Sequence, residues 1–302
     1  MNTEAGNSEA LISLKARLAK PQAVLAPGVY DALSALLVEQ AGFEAAYLSG
    51  ASIAYTQIGR PDIGLLGLTQ VADVTARVRD RVAIALIVDA DTGFGNALNV
   101  QHTVRTLERA GANAIQLEDQ TAPKRCGHLA GKALIPAAAM AGKVKAAVDA
   151  RASEETLIIA RTDAIAVEGF ERALERAALY RDAGADVLFV EAPQDVAQMQ
   201  RLGRAFPGAA MLANMVEGGK TPLMTKDQLE ALGFNLVISP GSLVRAFAFM
   251  AREFLRQLEQ NGTTSVARDR MLDFTQINAL LGLEGLMAAG QAYEGRREEA
   301  AE

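Results

Sequence analysis

Short apolar, β-branched runs alternate along the chain with longer segments of helical periodicity. The runs are Ala23–Pro27, Ala45–Ser49, Ala83–Asp89, Ala114–Glu118, Leu157–Arg161, Val187–Glu191, Ala209–Ala213 and Leu236–Ser239. Between them, helices are predicted at Asp31–Gln40, Thr69–Asp80, Ala97–Ala110, Ala137–Ala150, Phe170–Ala183, Ala197–Ala205 and Lys226–Leu232. Strands that alternate with helices in this way predict a parallel sheet. The strand candidates are apolar on nearly every residue, as expected where both faces of a sheet are covered. Eight such units predict an α/β fold, a (β/α)8 TIM-type barrel.

Four segments repeat a pattern: Gln40–Gly50, Arg109–Asp119, Asp182–Ala192 and Ala231–Gly241. Each joins a helix end, a glycine, a short connection and a strand, and the glycine suits the left-handed position that stops a helix. The copies precede strands two, four, six and eight. After strand eight, Leu243–Gln260 reads as a long helix and Arg268–Leu281 as a further one. No Pro/Ser-rich linker divides the chain. Residues 1–302 are therefore assigned to one barrel domain, with about 243–302 as a helical extension suited to covering the barrel mouth or packing on another subunit.

Composition narrows the function classes. Half of the 302 residues are hydrophobic, enough for a large core, and net charge is −6 with both signs interspersed. Nucleic-acid binding needs clustered cations, and no basic stripe is present. No apolar run reaches a membrane span. Met1–Glu9 is polar, without the apolar stretch of a signal peptide. The expectation is a soluble, cytoplasmic protein with neither nucleic acid nor membrane as partner.

Candidate chemistry collects at the C-terminal ends of the strands, where a barrel of this type builds its active site. Those ends read Ser49-Gly50, Asp89 to Gly93, Glu118-Asp119, Arg161-Thr162-Asp163, Glu191 and Asn214, with Ser242 and Arg245 after strand eight. Asp89 and Asp91 are two apart and share a face on an ideal strand. Glu118 can reach the same space. Converging carboxylates repel unless a cation is present, and oxygen ligands without a histidine cluster favour Mg2+ or Mn2+ over zinc. The plainer alternative is that these acids cap helices or pair with arginine. Arg161 and Arg245 suit bidentate binding of substrate carboxylates.

The loop after strand four runs Pro123-Lys124-Arg125-Cys126-Gly127-His128-Leu129-Ala130-Gly131-Lys132. It reads as a surface loop, with Gly127 and Gly131 placed to hinge a lid. Cys126 is the sole cysteine. Its cationic neighbours Lys124, Arg125 and His128 favour a reactive thiolate over an inert core thiol.

These motifs resemble the isocitrate lyase and phosphoenolpyruvate mutase superfamily, and in particular its lyase branch, which cleaves 2-methylisocitrate or alkylmalates such as 2,3-dimethylmalate. The matching segments are YLSG at Tyr47–Gly50, GRPDIG at Gly59–Gly64, VDADTGFGNALNV at Val88–Val100, LEDQ at Leu117–Gln120, KRCGH at Lys124–His128, ARTDA at Ala160–Ala164, FVEAP at Phe189–Pro193 and LANM at Leu212–Met215. The resemblance implies Mg2+ dependence, with Asp89 as direct ligand and Asp62, Asp91 and Glu118 acting largely through water. It implies that Ser49, Gly50, Ala51, Arg161, Glu191 and Asn214 hold the keto-acid half of a small carboxylic acid substrate. Cys126 matches the general acid, with Lys124 and His128 beside it, and Tyr47 is the candidate for removing the hydroxyl proton. Homotetramers that exchange C-terminal helices are implied as well.

The reaction so implied breaks the carbon–carbon bond beside a hydroxyl-bearing carbon of a 2-hydroxy di- or tricarboxylic acid. It releases a short α-keto acid such as pyruvate and a carboxylic acid. Two departures stand out. Leu129-Ala130-Gly131-Lys132 replaces the Arg-Pro-Asn-Lys usual in methylisocitrate lyases, which points to a 2-alkylmalate over a tricarboxylate. The family's SGGG-like segment is SGAS here. The alternatives are a phosphonomutase or oxaloacetate decarboxylase of the same superfamily and, from another class, a catalytically silent binding protein.

Overall fold

A computed structural model describes residues 13–127 and 131–293. Eight parallel strands close in chain order into a barrel: β1 (Val24–Val29), β2 (Ala45–Leu48), β3 (Ala85–Asp89), β4 (Ala114–Glu118), β5 (Leu157–Thr162), β6 (Val187–Val190), β7 (Ala210–Asn214) and β8 (Leu236–Ser239). The (β/α)8 expectation holds, and every strand lies within two residues of its predicted bounds. The connecting helices are α2 (Ala32–Gln40), α4 (Leu68–Arg81), α5 (Ala97–Arg109), α6 (Ala137–Ala150), α7 (Phe170–Asp182), α8 (Val196–Ala205) and α9 (Lys226–Leu232).

The repeated glycines do what the pattern requires. Gly42, Gly111, Gly184 and Gly233 all have positive φ, between 84° and 103°. Each ends a helix and turns the chain into an even-numbered strand at a backbone angle that L side chains resist.

Three elements escaped the sequence reading. Helix α1 (Leu14–Leu18) is one turn long, too short for a periodic signal. Leu14 and Leu18 pack with Val24, Ala45, Leu157, Val187 and Leu236 and close the N-terminal end of the barrel core. Helix α3 (Gly50–Ile53) runs into a π-helical turn at Ala54–Ile58; such turns are rare outside functional sites. Helix α12 (Leu283–Tyr293) follows α11 (Phe274–Leu281) across Gly282, which has φ 81°.

The pleat sorts the barrel interior into levels. Side chains two apart share a face, so Val187 and Phe189 on β6 point into the apolar core, with Glu191 next in the alternation. Leu157, Ile159 and Arg161 on β5 follow the same rule, as do Ile87 and Asp89 on β3. The apolar levels fill the barrel, and the polar level forms its C-terminal mouth.

By contacts the chain divides into two compact units, Met1–Arg245 and Ala246–Glu302. The second contains most of α10 (Ser242–Asn261) with α11 and α12. The helix expected at Arg268–Leu281 is broken: Ser265–Arg270 is a 3-10 turn, and Asp273 caps α11 by accepting from the Gln276 backbone. Phe247, Phe249, Phe274, Leu286 and Tyr293 are exposed. Among the described residues no helix is long and apolar enough to cross a membrane.

Two glycines test the backbone reading in opposite directions. Gly93 has φ 83°, and a Cβ there would stand 2.4 Å from Val100 Cγ2. Gly142 lies in exposed helix with nothing within 4 Å of such a Cβ. Gly93→Ala is expected to destabilise by about 1–3 kcal/mol and Gly142→Ala to stabilise by about 0.5–1 kcal/mol, read by chemical denaturation.

Candidate active site

The polar level encloses a cavity of about 120 Å³ at the C-terminal mouth. Tyr47, Ser49, Ala51, Asp62, Asp89, Glu118, Lys124, Cys126, Arg161, Glu191, Asn214 and Arg245 all line it. Gly50 and Asp91 stand just behind: a Cβ at Gly50 would lie 3.3 Å from Asp89 Oδ2 and 3.4 Å from Asp91 Oδ1. Both acids therefore face the same point, and any side chain at position 50 would crowd them. His128 lies outside the described residues, as do Leu129 and Ala130 of the departing tetrad.

Strand register sets the internal partners. Gln116 is the β4 partner of Asp89 on β3, and its Nε2 donates to Asp89 Oδ1 at 3.2 Å. Gln116 Oε1 accepts from the Tyr47 hydroxyl at 2.8 Å. Asp89 Oδ1 also accepts from the Asp91 backbone N–H at 3.2 Å, and Oδ2 from that of Gly50 at 3.4 Å. Asp91 itself sits at φ 47°, a strained conformation for a non-glycine residue that clusters at functional sites.

Glu118 and Arg161 are register partners across β4 and β5. Arg161 is the hub of the mouth: Nε lies 3.3 Å from Glu118 Oε2 and 3.0 Å from Asp163 Oδ2, and Nη2 lies 3.3 Å from Glu191 Oε2. Its guanidinium stacks 5.1 Å from the Phe189 ring centroid, and Asn214 Nδ2 donates to Glu191 Oε2 at 3.1 Å. Arg245 pairs with Glu217, to which Ser242 also donates. The plainer reading of both arginines as ion-pair partners is thus met in part: each already holds a carboxylate of this chain.

The loop after β4 is less superficial than its composition suggests. Lys124 is buried, its Nζ 2.5 Å from Asp62 Oδ1 and 2.8 Å from Asp91 Oδ1. Gln120 clamps the loop with both amide atoms, donating to the Arg125 carbonyl at 2.8 Å and accepting from its N–H at 3.0 Å. Gly127 is buried, and a Cβ on it would meet Arg161 Nη2 at 2.3 Å. Cys126 is half-buried. Tyr55, from the π-helical turn, lines the same cavity; burial and then Cys126 raise its pKa. Gln116, Gln120, Tyr55 and Glu217 lay outside the sequence reading. Gln120 stood inside a quoted motif, but no local signal pointed to the other three.

The electrostatics follow from burial. Desolvation, then Asp89 and Asp62, push Asp91 up to about 7 although Lys124 works against them. Glu118 is raised by burial despite Arg161. Burial opposes the charge on Lys124, but Asp91, Glu118, Asp89 and Asp62 together hold it protonated. Tyr47 is raised well above the usual phenol range by burial and by Asp89.

The donor set fits a hard divalent cation. Glu118 Oε1 is buried with no hydrogen-bond partner. Asp62, Asp89 and Asp91 supply further oxygens, and the nearest nitrogens belong to cations and amides. Among the described residues no three His, Cys, Asp or Glu side chains stand close enough to cage a metal directly. Mg2+ keeps several waters and takes one or two carboxylates, so these residues would hold a partly hydrated ion.

The fold and mouth define an enzyme of the barrel class with an acidic, arginine-anchored cavity. Residues 14–259 match the phosphoenolpyruvate phosphomutase family model. The chain is 48% identical over 269 residues to 2-methylisocitrate lyase of Aeropyrum pernix, covering 89% of this chain and 86% of that one. It is 41% identical over 293 residues to 2,3-dimethylmalate lyase of Eubacterium barkeri, covering 97% and 99%. A crystal structure of 2,3-dimethylmalate lyase superposes with TM-score 0.88 at 33% identity, covering 96% and 97%. A phosphonopyruvate hydrolase complex with oxalate and Mg2+ superposes with TM-score 0.84 at 30% identity, covering 93% and 98%. The chain belongs to the phosphoenolpyruvate mutase/isocitrate lyase superfamily. It is a carbon–carbon lyase of that superfamily.

Because the folded chain holds the Asp91 proton up to about 7, where an unfolded carboxyl releases it near 3.8, metal-free stability falls as pH rises through that window. A cation needs the ionised form, so its affinity rises over the same window. Mg2+ binding by calorimetry is expected to weaken by about tenfold per pH unit below 7. Asp91→Asn should lose about one decade per unit of that slope.

Proposed function

We propose that this enzyme is Mg2+-dependent and cleaves a 2-alkylmalate-type 2-hydroxy dicarboxylate to a short α-keto acid, such as pyruvate, and a second carboxylic acid. The observation that carries the reading is the convergence of Asp89, Glu118, Arg161, Asn214 and Cys126 on one small cavity. The sequence after Cys126 supports a dicarboxylate: Leu129-Ala130-Gly131-Lys132 stands where methylisocitrate lyases usually carry Arg-Pro-Asn-Lys, which removes a cation and an amide. Lys124, Arg161 and Arg245 each already hold a carboxylate of this chain. Mn2+ satisfies the same donor set as Mg2+.

Asp89, with Asp62, Asp91 and Glu118 around it, would hold the cation, which supplies stabilisation of negative charge at the substrate's 2-oxygen. Arg161 and Asn214 bind the keto-acid carboxylate, and Ser49, Gly50 and Ala51 bound that half of the cavity. The hydroxyl proton passes to water in the cavity, the 2-carbon becomes a ketone, and the electrons of the breaking bond pass to the departing carbon beside its carboxylate. Cys126 delivers the thiol proton to that carbon, and Lys124 holds positive charge nearby. His128 follows two residues after Cys126 and is assigned a supporting role on the resemblance alone. Tyr47, whose hydroxyl donates to Gln116 Oε1, is the candidate to take part in removing that hydroxyl proton.

The exposed aromatic and apolar side chains of the Ala246–Glu302 unit support assembly into a homotetramer, since exposed apolar patches mark interfaces. A single working thiol stays reduced most readily in the cytoplasm, the compartment to which the enzyme is assigned.

A panel of 2-alkylmalates, 2-methylisocitrate, isocitrate, oxaloacetate and phosphonopyruvate, offered with Mg2+ and followed by keto-acid release, is expected to favour an alkylmalate. Preference for a tricarboxylate would overturn the dicarboxylate reading, and turnover of phosphonopyruvate alone would favour phosphonate chemistry. Cys126→Ser is expected to lower kcat on the best substrate by about 10²–10⁴-fold, the usual worth of a general acid. An unchanged rate would remove Cys126 from its role.

A further inference from the structure

Among the described residues, Lys132 is the buried cation of the mouth to which the proposed chemistry gives no part. Its side chain is 2% exposed and Asp163 is fully buried. Lys132 Nζ donates to Asp163 Oδ1 at 2.7 Å and to the Gly127 carbonyl at 2.5 Å. Asp163 in turn accepts from Arg161, at Oδ2 from Nε at 3.0 Å and at Oδ1 from Nη2 at 3.1 Å. Its own backbone N–H is fixed by Asp119 Oδ1 at 3.0 Å, so this carboxylate is a rigid anchor. One buried group therefore ties together the arginine of the substrate site and, through Lys132, the backbone next to Cys126.

The distances leave little freedom. Gly127 lies so close to Arg161 that a Cβ on it would meet the guanidinium at 2.3 Å and Glu191 Cδ at 2.9 Å. On the other side of the thiol, the Cys126 N–H donates to the Asp62 carbonyl at 3.3 Å. Cys126 is thus held from both sides: by Asp62, among the acids, and by Gly127, drawn onto Asp163. A proton donor must stand within hydrogen-bond reach of the atom it protonates, and small misplacements cost large factors in rate.

We infer that Lys132 is a positioning residue for the lyase reaction: by bridging the Gly127 carbonyl to Asp163 it sets the Cys126 thiol at a fixed place relative to Arg161, and so to the substrate that Arg161 holds. This rests on Cys126 being the proton donor. Lys132 touches neither substrate nor reacting atoms in this role. It acts through Cys126.

The test is a double-mutant cycle on the holoenzyme with Mg2+ and the best substrate of the panel. Lys132→Met is expected to lower kcat by 10–100-fold with KM within about threefold, because Arg161 keeps both bonds to Asp163. In a Cys126→Ser background the same change should lower the residual rate by less than threefold. Alkylation of Cys126, the sole cysteine, by iodoacetamide should change rate by at least fivefold in Lys132→Met, and Lys132→Arg should restore most of kcat. A purely structural role predicts instead that Lys132→Met lowers the rate equally with and without Cys126, and that result overturns the inference. So does an unchanged kcat. Should Lys132→Met not fold, Lys132→Gln is read by the same criteria. The parent reading fails separately: an unaffected Cys126→Ser enzyme would remove the proton donor itself, whereas a crippled Cys126→Ser beside a normal Lys132→Met removes only the positioning role.

Discussion

The structure depends on how it tolerates buried negative charge at one end of the barrel. Around the cavity, Asp62, Asp89, Asp91, Glu118, Asp163 and Glu191 are buried, against Lys124, Arg161 and Lys132. Six acids face three cations, and isolated charges are costly to take out of water. Two consequences follow. Protons stay on Asp91 and Glu118 longer than on ordinary carboxyls. A divalent cation also becomes a thermodynamic partner of the site, because it is what allows those acids to ionise together. A dianionic substrate makes the requirement stronger, since without added positive charge the cavity would repel it.

The barrel supplies the frame on which that charge is arranged. Parallel strands in register place neighbouring residues side by side, and the mouth uses this twice. Gln116 beside Asp89 points the carboxylate, and Arg161 beside Glu118 neutralises the next acid. Both pairs are one strand apart and cost no loop ordering. Below them the apolar levels form a rigid floor, closed at the far end by Leu14 and Leu18. Close packing of that kind passes little slack upward to the groups at the rim.

Much of the fold and many of the cavity residues were legible because their signals are local. A β-branched run ending in a charge reads as a barrel strand with a residue at its mouth, and a glycine between helix and strand reads as a left-handed stop. What stayed hidden was long-range or short. The five residues of α1 offer no period to detect. Gln116 looks like a lone polar interruption of β4 until the register sets it between Tyr47 and Asp89. Glu217 sits in a loop, and only the fold brings it to Arg245. The loop at Lys124 read as surface because lysine and glycine favour exposure, yet acids distant in sequence pull Lys124 inward. Charge pairing across the barrel overrode composition there.

Asp163 illustrates why pairwise thinking fails at such a mouth. Burial works to raise its pKa, and Arg161 and Lys132 overcome that and hold it low. Remove either cation and the remaining one must carry a fully buried carboxylate alone, so the effect of each depends on the presence of the other. Arg161 is shared in the same way among Asp163, Glu118 and Glu191. The geometry of substrate binding and the placement of the thiol are therefore joined through a single side chain that need touch neither substrate nor metal. Asp163 is the point where the two meet: Arg161 grips it through Nε and Nη2, Lys132 grips it through Nζ, and the sequence carries the link between thiol and substrate anchor in two residues, Lys132 and Asp163, thirty-one positions apart.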